Sequence, residues 1–173
     1  MNHEGKTGDQ IIIHPDILFE NATAFFYIAH ICDRAKSLLP NQNEIPALEV
    51  PAIVNLTLSI ELFLKLLIML ESGSFHRTNE TKEHLLATLY VLIKDETKCK
   101  IEKSIHLERD EFMKLIEAND NNFVKFRYCH EGIKGVDTQI AADFNFLYNL
   151  AVVLRELLQI TYLGKYSLAD FKL

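Results

Sequence analysis

Residues 121–132 read NNFVKFRYCHEG. If this run is helical, Arg127 and His130 stand at i and i+3 and share a face, with Tyr128 and Glu131 on the adjoining one. A histidine can move protons near neutral pH. An arginine presents fixed donors to charge developing on phosphate oxygens. Together these residue types suit a pocket that contacts RNA or a nucleotide. Arg127 and His130 are the first candidates for catalytic residues, and Tyr128 and Glu131 are candidates for binding. A structural role competes with this one. A buried arginine needs a carboxylate, and Glu61, in a mostly apolar stretch, needs a cation that either Arg127 or Lys65, one turn on, could supply. A second pair, Arg77 and His84, flanks the end of a polar loop. It is the second choice for catalysis, and His84 could equally serve only to start a helix.

The rest of the chain excludes more than it offers. No P-loop, GxGxxG, HExxH or GxSxG occurs. The carboxylates are scattered, and His3, His14, His30, His76 and His106 lack ligand spacing. No metal and no cofactor are expected. Cys32, Cys99 and Cys129 are far apart and form no CxxC, which reads as reduced thiols in a cytosolic protein. The polar opening MNHEGKTGDQ has no apolar signal core, so the expected location is cytoplasmic and the sequons at Asn21, Asn55 and Asn79 are coincidental. A net charge of −6 argues against broad gripping of a phosphate backbone but leaves room for a local basic pocket.

The elements that must position these residues are helical. The chain has 173 residues, 49% of them hydrophobic, with only six glycines and four prolines, which favours long helices in one domain. Residues 1–10 read as a flexible tail, and 11–173 as a single helical domain. The short apolar QIII run, ending at Ile13, is the one possible strand. Apolar spacing predicts a helix from about Ile17 to Leu39, with Asp16 as its cap. A second runs from about Pro46 to Ser72, stopped by Gly73. It is apolar almost all round, with a narrow polar stripe at Thr57, Glu61 and Lys65, as in a central helix packed on several sides. Glu61 and Lys65 at mid-span argue against a membrane crossing. A third helix is expected from about Glu80 to Asp95, capped by Thr78 or Asn79, then a charged stretch, a helix over about Arg109–Ala118 and a short segment at 122–130. After the loop containing Gly132 and Gly135, Asp137 or Thr138 should cap a last helix from about Gln139 to Leu163, with Asp143, Arg155 and Glu156 on its exposed side. The result is an all-α bundle of four long helices and one or two short ones.

Two blocks carry a resemblance. AIVNLTLSIELFLKLLIMLESG (52–73) followed by HLLATLYVLI (84–93) is similar to the middle of HEPN-domain proteins, where a helix of the form N-x-x-L-x-x-E-L-x-L-K-x-L-L precedes a loop ending in His-Leu. Asn55, Glu61, Lys65, His84 and Leu85 match, and Asn55, Glu61 and Lys65 become candidate binding residues. The run at 121–132 resembles a second family element, F-x-x-W-R-Y-x-x-E, through Phe123, Arg127, Tyr128 and Glu131, with Phe126 where tryptophan is common. The resemblance covers about residues 52–131, and the last helix suits the same bundle. It implies an all-α HEPN-like fold and a homodimer. It also implies a metal-independent endoribonuclease of a defence or toxin–antitoxin system, in which the RNA 2′-hydroxyl attacks its neighbouring phosphate. The family's catalytic pattern is Arg-x4–6-His. Arg127 and His130 depart from it, since positions 132–134 hold Gly, Ile and Lys, whereas Arg77 and His84 match it formally. The alternative reading is a catalytically silent HEPN-like module that dimerises, binds a nucleotide or tethers a partner protein encoded nearby.

Overall fold

The architecture was obtained as a computed structural model, which describes residues 14–38, 48–73, 84–120, 122 and 142–163. Its frame is a pair of long helices, α1 (Pro15–Leu38) and α2 (Glu49–Ser72). Proline is preorganised for the first helical position, where its missing N–H costs nothing. Asp16 therefore lies inside the first turn of α1, where its charge complements the helix N-terminus, and is not the cap expected. Phe19, Ala22, Phe26 and Ala29 recur at helical spacing and are buried. Phe19 packs on Phe63 of α2 at 5.8 Å between ring centroids. Three residues along α1, the Ser59 hydroxyl donates to the Ala22 carbonyl at 2.7 Å. Numbering rises on one helix as it falls on the other, so the pair is antiparallel, and the small residues Ala22 and Ser59 let the backbones approach closely.

α2 is the central helix. Leu56, Ile60, Phe63, Leu64 and Leu66 are fully buried, and Thr57, Ser59 and Glu61 are buried with them. By length and composition α2 could cross a membrane, but 61% of its most apolar stretch is covered by the bundle. It ends at Gly73, whose φ of +78° sends its N–H back to the Met69 carbonyl at 2.9 Å. That left-handed position is the reason a glycine is needed there.

The third expected helix ends earlier than Asp95, and the charged stretch after it forms a further helix. α3 (Leu86–Val91) stops at Leu92, Lys94 is extended, and α4 (Asp95–Ile105) begins anew. Ile93 turns into the core at this break while Val91 and Leu92 stay exposed. The Glu71 carboxylate on α2 accepts from the Lys94 backbone N–H at 2.7 Å and from the Thr97 hydroxyl, which pins the new helix start. α4 ends at His106, which takes a left-handed φ of +61°. α5 (Arg109–Ala118) follows.

The last helix, α6 (Phe144–Leu158), closes with one π-helical turn over Gln159–Leu163. Its cap is Asp143, whose carboxylate accepts from the Phe146 N–H at 2.9 Å, and Ala142 is not helical. The expected start near Gln139 is therefore too early. Arg155 is also not on the exposed side: it is 4% exposed, beneath Tyr27, with its guanidinium 5.5 Å from the ring centroid and donating to the Tyr27 hydroxyl at 3.3 Å.

α6 packs its Leu147, Leu150, Ala151, Leu154 and Leu158 stripe on α2. Tyr90, Phe112 and Phe146 pack in series, tilted at 4.6 Å and then edge to face at 5.4 Å, and tie α3, α5 and α6 into one core. Among the described residues there is no strand, and the fold is all-α. The tail, Ile11–Ile13, and the proposed caps Thr78, Asn79, Asp137 and Thr138 lie outside the described residues.

Candidate functional site

Glu61 sits on the inward face of α2, 3% exposed, in a helix that is otherwise nearly all apolar. Removing a carboxylate from water costs several kcal/mol unless partners replace the lost solvation. Two do so. The Lys65 ammonium, one turn later on α2, donates to Oε1 at 2.6 Å. His84 Nδ1 lies 2.8 Å from the same oxygen. Lys65 is 16% exposed and the His84 side chain 56%, so the cluster runs from the core out to solvent.

The position of His84 is fixed from two sides. It lies two residues before α3, whose N-cap is Leu85, and the Ala87 N–H in the first turn of that helix donates to the Asp120 carboxylate at 2.7 Å. Asp120 follows α5, where Asn119 ends the helix. Asn119 is itself a junction. Its amide donates to the Leu115 carbonyl at 2.8 Å, and its oxygen accepts from Asn122 at 2.6 Å and from the Asp143 N–H at 3.1 Å. The NDNN run, which reads as a helix breaker, thus knots α3, α5 and α6 together behind the histidine.

The chemistry follows from the contact. A carboxylate has no proton to give, so Nδ1 carries the hydrogen and donates it to Glu61. In the neutral ring Nε2 is then the basic atom. A buried acid that holds an imidazole in one tautomer, with the ring open to solvent, is the arrangement of a general base. The adjacent Lys65 adds positive charge beside it.

A second polar cluster has a different character. Glu102 on α4, 7% exposed, accepts from the Tyr90 hydroxyl at 3.0 Å and from Arg109 Nε at 2.9 Å on one oxygen, and from a terminal Arg109 nitrogen at 3.4 Å on the other. Burial, reinforced by the hydrogen bond to Glu102, pushes the Tyr90 phenol far above its ordinary range, and Glu102 also raises the Arg109 guanidinium. The phenol stays protonated, and the group clamps α3, α4 and α5. His30 and Tyr148 form a third contact, hydroxyl to Nδ1 at 2.9 Å, with the Tyr148 phenol raised by burial and by the charge of Asp33.

Of the residues singled out from the sequence, Glu61, Lys65 and His84 come together. Asn55 does not join them: six positions earlier on α2, it points to another side and donates to the Pro51 carbonyl at 2.7 Å. Arg127, His130, Tyr128 and Glu131, and Arg77 of the second pair, lie outside the described residues. The contact missed was His84 with Glu61. Its signal was present: a lone carboxylate in an apolar helix needs donors, and a histidine opens the next helix. Among the described residues, no three histidine, cysteine, aspartate or glutamate side chains lie close enough to hold a metal ion. A small cleft of about 220 Å³ bounded by Cys32, Asp33, Glu49, Ile53 and Phe144 lies toward the start of α2, about 12 Å of helix rise from Glu61.

Against known proteins, no family model, no curated protein and no solved structure matches the chain.

Proposed function

We propose that this chain is a HEPN-like helical protein that acts on RNA in the cytoplasm, as a metal-independent endoribonuclease of a defence or toxin–antitoxin system. The reading is carried by one observation: the half-exposed His84 ring is held through Nδ1 by the buried carboxylate of Glu61 at 2.8 Å. In this role His84 Nε2 takes the proton of the RNA 2′-hydroxyl. The 2′-oxygen bonds to the adjacent phosphorus, the bond to the 5′-oxygen breaks, and that oxygen leaves as a hydroxyl, with the His84 imidazolium returning the proton directly or through water. Arg77 or Arg127 fills the charge-stabilising role on the phosphate, which the residue type suits.

The test is incubation of the purified protein with mixed single-stranded RNA in EDTA. Cleavage should yield 2′,3′-cyclic phosphate ends and fall about 10²–10⁴-fold in His84→Ala, the usual contribution of a general acid–base group. Cleavage that survives His84→Ala but is lost in Arg127→Ala or His130→Ala moves the chemistry to the 121–132 run. If the wild-type protein does not cleave, the catalytically silent HEPN-like module is the correct reading.

A further inference from the structure

His84 differs from the other described histidines in what its ring joins. His14 and His106 are exposed, and His30 turns Nδ1 to the Tyr148 hydroxyl at 2.9 Å. Among the described residues, His84 is the histidine that bonds a buried carboxylate: Nδ1 lies 2.8 Å from Oε1 of Glu61, with side chains 56% and 4% exposed. That bond holds the tautomer of a base, and it serves a nucleophile equally. When the Nε2 lone pair bonds to an electrophile, Nδ1 keeps its hydrogen and the ring becomes a cation. The Glu61 carboxylate already stands against that developing charge, fixed by the core, with no reorganisation to make. The Lys65 ammonium bonds the same oxygen at 2.6 Å. A positive charge therefore stands beside the ring and favours an electrophile that is itself an anion.

From this geometry we infer that Nε2 of His84 is a phosphoryl acceptor, taking the group from an N-phosphoryl donor, of which phosphoramidate is the simplest. The Nε2 lone pair bonds to phosphorus and the P–N bond of the donor breaks. The electron pair of that bond stays on the donor nitrogen, which leaves neutral because the donor is protonated before it reacts. The Nδ1 hydrogen remains between the ring and Glu61. The bond made and the bond broken are of one kind, so the transfer runs near balance. The half-exposed ring leaves the new phosphoryl group in water, where its charge is solvated. Once loaded, Nε2 has no lone pair for the proton of an RNA 2′-hydroxyl, and the added negative charge repels the RNA phosphates. Loading therefore silences the site. The silencing rests on the RNA reading; the phosphoryl transfer does not.

Phosphoramidate itself is the probe. After incubation of the full chain at neutral pH, tandem mass spectrometry and phosphorus NMR should place the phosphoryl group on Nε2 of His84. His84 should load about tenfold faster than His14 or His106 in the same molecule, the scale of one hydrogen bond to a charged partner. Glu61→Gln, with an unchanged helical circular-dichroism spectrum, should slow His84 to the rate of His106. The wild-type chain alone suffices to overturn the acceptor: loading on Nδ1 of His84, or at equal rates on His84 and His106, does so. The loaded protein should lose RNA cleavage in proportion to the fraction modified and regain it after hydroxylamine removes the group. A loaded chain that cleaves as before overturns the silencing. A wild-type chain that loads at His84 yet cleaves no RNA removes the RNA reading and leaves the acceptor standing.

Discussion

The Glu61 carboxylate lies 2.8 Å from Nδ1 of His84, and this one contact links a side chain that is 4% exposed to one that is 56% exposed. The core fixes the acid, the acid fixes the tautomer, and the imidazole meets the solvent. Glu61→Gln keeps the shape of the side chain but lets an amide donate where only an acceptor stood. RNA cleavage should fall about tenfold or more through loss of a poised base, with KM for RNA unchanged. Urea unfolding should show a stability loss of about 1–3 kcal/mol, since Lys65 and His84 lose a charged acceptor and both can turn to water.

The close approach of α1 and α2 is sensitive to volume. Ala22 and Ser59 are both 0% exposed, and the hydroxyl of one bonds to the carbonyl of the other. Ala22→Leu should cost about 1–3 kcal/mol or more by forcing the helices apart. Ser59→Ala should cost about 1 kcal/mol, because the Ala22 carbonyl keeps its place in the α1 ladder. Both changes should shift the urea midpoint at constant m-value.

Asn119 should be far less replaceable than its loop-like sequence suggests. Asn119→Ala strips partners from the 0%-exposed Asn122 and from the Asp143 N–H together. A loss of about 2 kcal/mol or more is expected. Asp143→Ala, which removes only an N-cap bond, should cost about 1 kcal/mol in the same thermal or urea measurement.

The course of the chain was legible where apolar spacing was long and its stops were chemical. α1 and α2 fall within a few residues of their expected bounds, and Gly73 ends α2 as read. The helix expected over 80–95 ends at Val91 instead of Asp95, because LYVLI is apolar enough to read through a break. The signal was the acidic pair Asp95–Glu96, which belongs in a first turn, so a second helix begins there. Arg155 was placed outside because arginines usually are. A tyrosine 128 positions away covers it, and no local pattern reports such a contact. The same limit applies to the site. Glu61 was recognised as a carboxylate in need of a cation, but which donor reached it depended on where His84 came to lie in the fold.

Tyr90 gives the protein a defined alkaline response. Burial and the Glu102 hydrogen bond raise its phenol above the ordinary value, which is near 10 for a free tyrosine. The folded chain keeps the proton that the unfolded chain releases. Its contribution is therefore complete below about pH 10 and is lost as the pH rises above that. Absorbance titration at 295 nm should show no ionisation step from Tyr90 until the protein unfolds. Stability above about pH 10 should decline less steeply in Tyr90→Phe.

The two left-handed positions among the described residues should respond oppositely. A Cβ at Gly73 meets nothing within 4 Å, so Gly73→Ala carries only conformational strain, about 1 kcal/mol. His106, exposed and at φ +61°, already bears that strain. His106→Gly should raise the melting temperature slightly, to the extent that relief of strain exceeds the glycine's added freedom when unfolded.

α2 depends on its neighbours for cover. A 24-residue segment with the hydropathy of a membrane span has 61% of its most apolar stretch buried inside the bundle, where α1, α3 and α6 sheath it. Variants that loosen α6 should therefore not linger as soluble unfolded chains. They should present α2 to chaperones and proteases or precipitate, so the amount of protein in a cell will track the docking of the last helix more closely than the strength of any one contact.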